Sequence, residues 1–368
     1  MNNISELAQL GTSTWLDDLS RQRLTSGNLK EIISSKSIVG VTTNPAIFAA
    51  AMTSGTAYDA DLAALKEKNA SADEVVYSLA ITDVQNACDL FADVYTQTEG
   101  QDGRVSIEVD PRISDDAAAT LDQARELWRQ VNRPNAMIKI PATPGSLPAI
   151  EDALAEGISV NVTLIFSVSR YREVIAAFKA GLKRAADNGK DVTKIHSVAS
   201  FFVSRLDTEV DKRLEAIGSE EALSLRGKAG VANAQRAYAL FQEELLGDND
   251  LPPGAAVQRP LWASTGVKNP AYPATLYVTE LAGPHTVNTM PEKTIDAVLQ
   301  EGGLHGDTLT AADKSEKIFS QLESVGIDLE DVFMVLEREG VDKFVAAWND
   351  LLDSLKQRLL DSLKQRLA

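Results

Sequence analysis

The sequence predicts an α/β fold, a (β/α)8 barrel of the TIM type with additional helices and an extended C-terminal helix. Three observations lead there. Short apolar runs alternate with longer amphipathic stretches almost to the end of the chain. Several of those runs carry polar residues on one alternating phase. One run, Ala136-Met-Ile-Lys-Ile-Pro-Ala-Thr143, holds Lys139 where a buried parallel strand should be aliphatic.

The strand candidates, in order, are Ser13–Asp17, Ile38–Thr42, Val105–Val109, Ala136–Pro141, Ile158–Thr163, Lys194–Ser200, Arg259–Ser264 and Thr286–Thr289. Amphipathic stretches over Ala72–Tyr95, Asp115–Val131, Ser167–Ala186 and Asp207–Glu244 separate several of them. Strand–helix alternation argues for a parallel sheet, and roughly eight units favour closure over an open doubly wound sheet. Phase adds a direction. Val105, Ile107 and Val109 share one face, with Ser106 and Glu108 on the other. Ile158, Val160 and Val162 likewise oppose Ser159, Asn161 and Thr163. Helices would cover the aliphatic faces, and the polar faces would point into the barrel. A one-sided antiparallel sheet would show the same alternation, but the intervening helices argue against it.

The chain reads as one catalytic domain over residues 1–350 and a helical extension over 351–368. In that extension Leu-Leu-Asp-Ser-Leu-Lys-Gln-Arg occurs at 351–358 and again at 359–366. Its leucines span about half of a helix circumference, and the stripe drifts because eight is not a helical period. A stripe of this kind suits a second copy of the chain or a partner helix. A duplication that merely lengthens the last helix is the plainer reading.

Composition narrows the function. The 368 residues carry 36 Lys+Arg against 53 Asp+Glu, a net charge of −17, which disfavours nucleic acid and anionic membranes as partners. A single cysteine, Cys88, allows neither an internal disulfide nor a thiolate metal cluster. The N-terminus lacks a basic start and an apolar run, and no window is long and apolar enough to span a bilayer. A cytoplasmic protein is expected. Neither a Gly-x-Gly-x-x-Gly fingerprint nor a Walker-type loop follows the early strands, which counts against nucleotide binding.

A lysine inside a barrel must find a partner, lose its proton, or react. As a neutral amine, Lys139 would be a nucleophile; the alternative is a structural ion pair. Asp17 and Glu108, near the ends of two other strands, supply the proton movements that imine chemistry requires, although Asp17 could equally cap a following helix. Asn161 and Thr163 on the inward phase suit sugar hydroxyls and an ordered water. Asn44, before Pro45, is either a ligand or a helix cap. Arg205 follows the sixth strand, and Ser264 and Lys268 follow the seventh, the arrangement with which barrel enzymes commonly hold a phosphate. A salt bridge to Asp207 or Glu209 is the rival role for Arg205. The three histidines, His196, His285 and His305, are widely separated and show no ligand spacing, so no metal site is expected. His196 reads as a buried, hydrogen-bonded residue of the sixth strand.

Six segments, in order, carry a family resemblance: Thr-Trp-Leu-Asp17, Val-Thr-Thr-Asn-Pro45, Arg-Val-Ser-Ile-Glu-Val-Asp110, Met-Ile-Lys-Ile-Pro141, Ser-Val-Asn-Val-Thr163 and Ser-Phe-Phe-Val-Ser-Arg205. With them the sequence resembles the transaldolases, Schiff-base enzymes of the pentose phosphate pathway, in their longer bacterial form. The resemblance implies a (β/α)8 barrel and transfer of a dihydroxyacetone unit between sugar phosphates without a cofactor. Lys139 would form the imine, Asp17 would move the proton of the fourth-carbon hydroxyl, and Glu108 would act through a water held by Thr163. Asn44 and Asn161 would bind dihydroxyacetone hydroxyls, Ser200 and Phe202 would shape the pocket, and Arg205 would hold phosphate. One departure stands out. The family's short form carries a second phosphate arginine soon after the serine matching Ser264, whereas here the stretch reads Ser-Thr-Gly-Val-Lys-Asn269, leaving Lys268 as its replacement.

Three rivals remain. The same chemistry could release free dihydroxyacetone to water, as a sugar-phosphate aldolase does. A metal-dependent aldolase would need a site the histidines do not supply. A scaffold presenting its C-terminal helix to a partner would not need Lys139.

Overall fold

The computed structural model describes residues 2–247 and 250–367, without the side chains of residues 312 and 359–367. Eight parallel strands close into one barrel in sequence order: β1 (Thr12–Asp17), β2 (Gly40–Thr42), β3 (Arg104–Glu108), β4 (Ala136–Pro141), β5 (Val160–Ile165), β6 (Ser197–Phe202), β7 (Arg259–Ala263) and β8 (Thr286–Met290). Every predicted run contributes a strand. The fifth and sixth lie two to three residues later than the pattern suggests, because a left-handed turn at Gly157 (φ 91°) and a short 3-10 helix (Val192–Lys194) take up their predicted starts.

Two hydrophobic cores follow from the alternation. Val105, Ile107, Ile138, Ile140, Val160 and Val162 face outward into the layer beneath the helices. Trp15, Met137, Val198, Leu261 and Val287 fill the barrel interior. The interior is therefore not polar throughout: an apolar middle layer separates two polar ends, as expected of a barrel whose inside is packed. Gly40 is part of that layer, since a Cβ there would meet the Trp15 ring at 2.7 Å.

The long predicted amphipathic stretches are broken. Ala72–Tyr95 divides at Phe91 into helices Ala72–Leu90 and Ala92–Gln97. Asp207–Glu244 begins earlier, as Ser204–Ile217, and stops at Gly218, whose φ of 71° forms a left-handed cap. It resumes as Glu220–Leu223 and Ala229–Phe241. Among the described residues, no helix is long and apolar enough to cross a membrane.

The C-terminal helix (Leu329–Leu367) has 39 residues, a length of about 58 Å. It crosses the end of the barrel where the strands finish. Arg213–Asp331 (2.7 Å) and Arg170–Glu337 (3.3 Å) tie down its first part. Trp348 packs on Tyr77 with ring centroids 5.1 Å apart. It runs unbroken past residue 350, and the first copy of the octapeptide packs against the helices that follow β2. Leu351, Leu352 and Leu355 are buried, and Arg358 binds the Met52 carbonyl (2.5 Å), the Gly55 carbonyl and Asp59 (2.6 Å). The side chains of the second copy, 359–366, lie outside the described residues.

Candidate active site

Parallel register sets the height of each functional group. Glu108 is level with Lys139, and Lys139 with Asn161, across β3, β4 and β5. Asp17 is level with Thr42 across β1 and β2. Asp17, Thr42 and Glu108 are the last residues of their strands, and Lys139 lies in the second half of β4, at the end where barrel enzymes place their chemistry. A cavity of about 140 Å³ opens there, lined by Asp17, Asn44, Lys139, Thr163, Ser200, Phe202, Arg205, Ser264 and Lys268 among others. Glu108 reaches it through Lys139, and Asn161 through Ser200, whose hydroxyl donates to Asn161 Oδ1 at 2.7 Å. Nine of the residues singled out from the sequence line this chamber, and Glu108 and Asn161 stand directly behind its wall.

Lys139 is 5% exposed. Its Nζ donates to the Thr43 carbonyl at 3.0 Å and lies 3.5 Å from Glu108 Oε2, within ion-pair range but beyond a good hydrogen bond. The amine is therefore not locked to the carboxylate. Neither Glu108 oxygen nor Thr163 Oγ1 hydrogen-bonds to another protein group. Burial pushes the Glu108 carboxyl up to about 7, with Lys139 pulling the other way. Such an acid can both give and take protons at neutral pH.

Asp17 does not cap the next helix; Ser20 does that. Its Oδ1 accepts from Thr42 Oγ1 at 2.7 Å, and Thr42 in turn meets Thr289 Oγ1 at 2.5 Å. Asp17 lines the cavity and is half-buried; desolvation raises its pKa, with the charge of Lys139 opposing. Asn44 is the helix cap that one of its two expected roles required, and it also borders the cavity. Its Oδ1 accepts from Ile47 N at 3.0 Å, capping the Pro45–Thr53 helix, while the residue lines the cavity.

The phosphate candidates occupy the β6–β7 side. Arg205 forms no salt bridge with Asp207 or Glu209: Asp207 accepts from Tyr277 and Gly230 N, and Glu209 pairs with Lys212 and Arg213. Its guanidinium lies over the Phe202 ring (5.1 Å) and the Phe344 ring (5.9 Å), and its Nη1 is buried without a hydrogen bond. Burial lowers its pKa, partly offset by Glu339. Among the described residues, no carboxylate comes within 4 Å of it. A half-buried guanidinium with no carboxylate partner has the charge and free donors to pair with an anion. Ser264, left-handed at φ 55°, meets Ser204 Oγ at 2.8 Å, and exposed Lys268 borders the same chamber.

His196 is displaced from its expected place. It precedes β6 at the opposite end of the barrel, where burial and the cations Arg104 and Arg259 push its pKa down to about 3. Residues that sequence reasoning missed are Thr42, Thr265, Thr289 and Phe344. Thr42 sits in the Val-Thr-Thr-Asn-Pro45 segment and Thr289 on the inward phase of β8, so both left a trace. Phe344 left none, because it comes from the C-terminal helix.

Comparison with known proteins agrees with this geometry. The family model described as transaldolase/fructose-6-phosphate aldolase matches residues 14–355. A protein named transaldolase from Mycobacterium leprae (strain Br4923) is 58% identical over 362 residues, 97% of this chain and 96% of that relative. Another with that name, from Mycobacterium tuberculosis (strain ATCC 25618 / H37Rv), is 57% identical over 363 residues, 97% of each chain. On this evidence the chain belongs to the transaldolase/fructose-6-phosphate aldolase family.

Proposed function

We propose that the protein is a transaldolase that transfers a dihydroxyacetone unit from a ketose phosphate to an aldose phosphate through an imine on Lys139. The observation that carries this reading is the buried, unlocked amine of Lys139 beside a carboxyl titrating near 7, with a second carboxylate across the same chamber. Lys139 Nζ adds to the ketose carbonyl carbon, and Glu108, through a water held at Thr163, passes the protons by which the carbinolamine loses water. Asp17 then removes the proton of the fourth-carbon hydroxyl. The bond between the third and fourth carbons breaks, its electron pair moves toward the iminium, and the aldose phosphate departs. The three-carbon enamine stays on Lys139 until an acceptor aldehyde takes its nucleophilic carbon, with Asp17 returning the proton to the aldehyde oxygen. Hydrolysis of the new imine frees the product.

Asn44 and Asn161 are assigned to the dihydroxyacetone hydroxyls, Ser200 and Phe202 to the pocket wall, and Arg205, Ser264 and Lys268 to the phosphate. Lys268 is a point charge, where an arginine would supply a two-pronged fork. The scheme draws on these side chains alone. We propose the cytoplasm as the compartment, on the substrate class.

Borohydride reduction in the presence of fructose 6-phosphate, followed by peptide mass spectrometry, tests the reading. A reduced three-carbon or six-carbon adduct on Lys139 is expected, and an unmodified Lys139 rejects the mechanism. Product analysis with erythrose 4-phosphate as acceptor separates transfer, which yields sedoheptulose 7-phosphate, from aldolase action, which yields free dihydroxyacetone.

A further inference from the structure

Phe344 is the one aromatic ring that the C-terminal helix places in the wall of the reaction chamber. The ring lies 5.6 Å from Lys139 Nζ and 5.9 Å from the Arg205 guanidinium, and the residue is 7% exposed. Its position depends on a close approach one turn earlier. A Cβ on Gly340 would meet the Phe166 ring at 3.0 Å and Leu164 Cδ2 at 3.3 Å, so any other residue would require those side chains to give way for the helix to settle this low. Leu164 itself is turned by an irregularity in β5, where the register with β6 shifts between Val162 and Ile165 and Leu164 adopts φ 59°. Glycine within a helix costs about 0.5–1 kcal/mol relative to alanine, and here it brings an apolar ring over the amine.

We propose that Phe344 is a specificity-determining residue that seals the enamine from water and so decides between transfer and release of the three-carbon unit. This inference rests on the imine mechanism proposed above. In productive transfer, the enamine carbon forms a bond to the acceptor's aldehyde carbon. In release, that same carbon takes a proton instead, water adds to the resulting iminium carbon, and the carbon–nitrogen bond breaks to give dihydroxyacetone and the free amine of Lys139. Both outcomes share every earlier step, so they differ in what reaches the enamine before an acceptor does. An apolar ring next to Nζ keeps bulk water and its proton carriers from the enamine carbon, while the water held at Thr163 serves imine hydrolysis in both outcomes.

The test compares wild type, Phe344→Leu and Phe344→Ala, with fructose 6-phosphate as donor and erythrose 4-phosphate as acceptor. Free dihydroxyacetone is counted against sedoheptulose 7-phosphate. Far-UV circular dichroism and the borohydride adduct are recorded for each protein. The ratio of release to transfer should rise about tenfold in Phe344→Ala and less in Phe344→Leu, with the adduct still formed. An unchanged ratio in a folded, adduct-forming Phe344→Ala overturns the proposal. Should that variant fail to fold, Phe344→Leu decides in the same way, because it keeps apolar bulk while opening part of the seal. A loss of packing alone would lower the yield of active protein without moving the ratio. Wild type without an adduct overturns the imine mechanism, and this inference with it, and is thereby distinguished from failure of the seal alone.

Discussion

The two ends of this barrel are both rich in buried charge, and they use it in opposite ways. At the end where the strands begin, Asp102 accepts from Ser13 Oγ (2.7 Å), Trp15 Nε1 (3.0 Å) and Arg259 Nη2 (2.9 Å), and Arg259 also donates to Ser13 and to the Gln101 carbonyl. At the end where they finish, both Glu108 oxygens, Thr163 Oγ1 and Arg205 Nη1 are buried without protein partners, whereas at the first end Arg104 leaves one nitrogen so, Nη2, with its Nε and Nη1 bonded to carbonyls. Satisfied charge rigidifies a fold, whereas unsatisfied charge in a closed chamber is held ready for a ligand. The apolar layer of Trp15, Met137, Val198, Leu261 and Val287 insulates one from the other.

That contrast can be broken at either end. The largest effect is expected from Lys139→Ala, which should lower turnover by several orders of magnitude and abolish the borohydride adduct while leaving the melting temperature near that of wild type. Asp17→Asn should cost about 10²–10⁴ in kcat, with the adduct still forming, because imine formation precedes the step that needs Asp17; steady-state rates and trapping together check this. At the other end, Asp102→Ala leaves the Arg259 charge buried without its partner and should destabilise the fold by about 3–5 kcal/mol. Urea unfolding reads that loss, and kcat per folded molecule should stay unchanged. Arg205→Ala should raise KM for fructose 6-phosphate by about 10–100-fold, the worth of one or two charge-assisted bonds, and should barely alter KM for unphosphorylated fructose.

The smallest effect concerns pH. Burial lifts the folded-state pKa of Glu108 from 4.5 to about 7, so between those values the folded protein holds a proton that the unfolded chain has released. The contribution of this group to stability is therefore fully present below about pH 4.5 and falls as pH rises toward 7. Glu108→Gln should flatten that part of the stability curve, measured by urea unfolding at pH 5 and pH 8. An unaltered slope would mean that the carboxyl is ionised throughout.

Much of this was legible in the chain because a barrel strand has a period of two. Lys139 stands out as a charge among aliphatic neighbours, Glu108, Asn161 and Thr163 occupy the inward phase of the third and fifth strands, and Asp17 ends the first. Boundaries were less legible. Gly218 interrupts what reads as one helical stretch, and the start of β6 depends on pairing with β5 and β7, which local sequence does not encode. His196 shows the limit of phase without height: it lies on the β6 segment with Ser200, yet at the barrel's opposite end. Phe344 was invisible for another reason. It stands 205 positions after Lys139 (344 − 139) on a surface-type helix, and its role comes from how closely Gly340 lets that helix approach.

The double duty of Asn44 has a consequence for how this chamber could evolve. Its oxygen already accepts from the backbone of Ile47, so the two amide hydrogens and one remaining oxygen lone pair are what it can offer the cavity. Aspartate in its place would keep the helix start intact while stripping away both donors. Exchanging that one amide for a carboxylate would thus separate the helix cap from the donors this residue offers to the cavity.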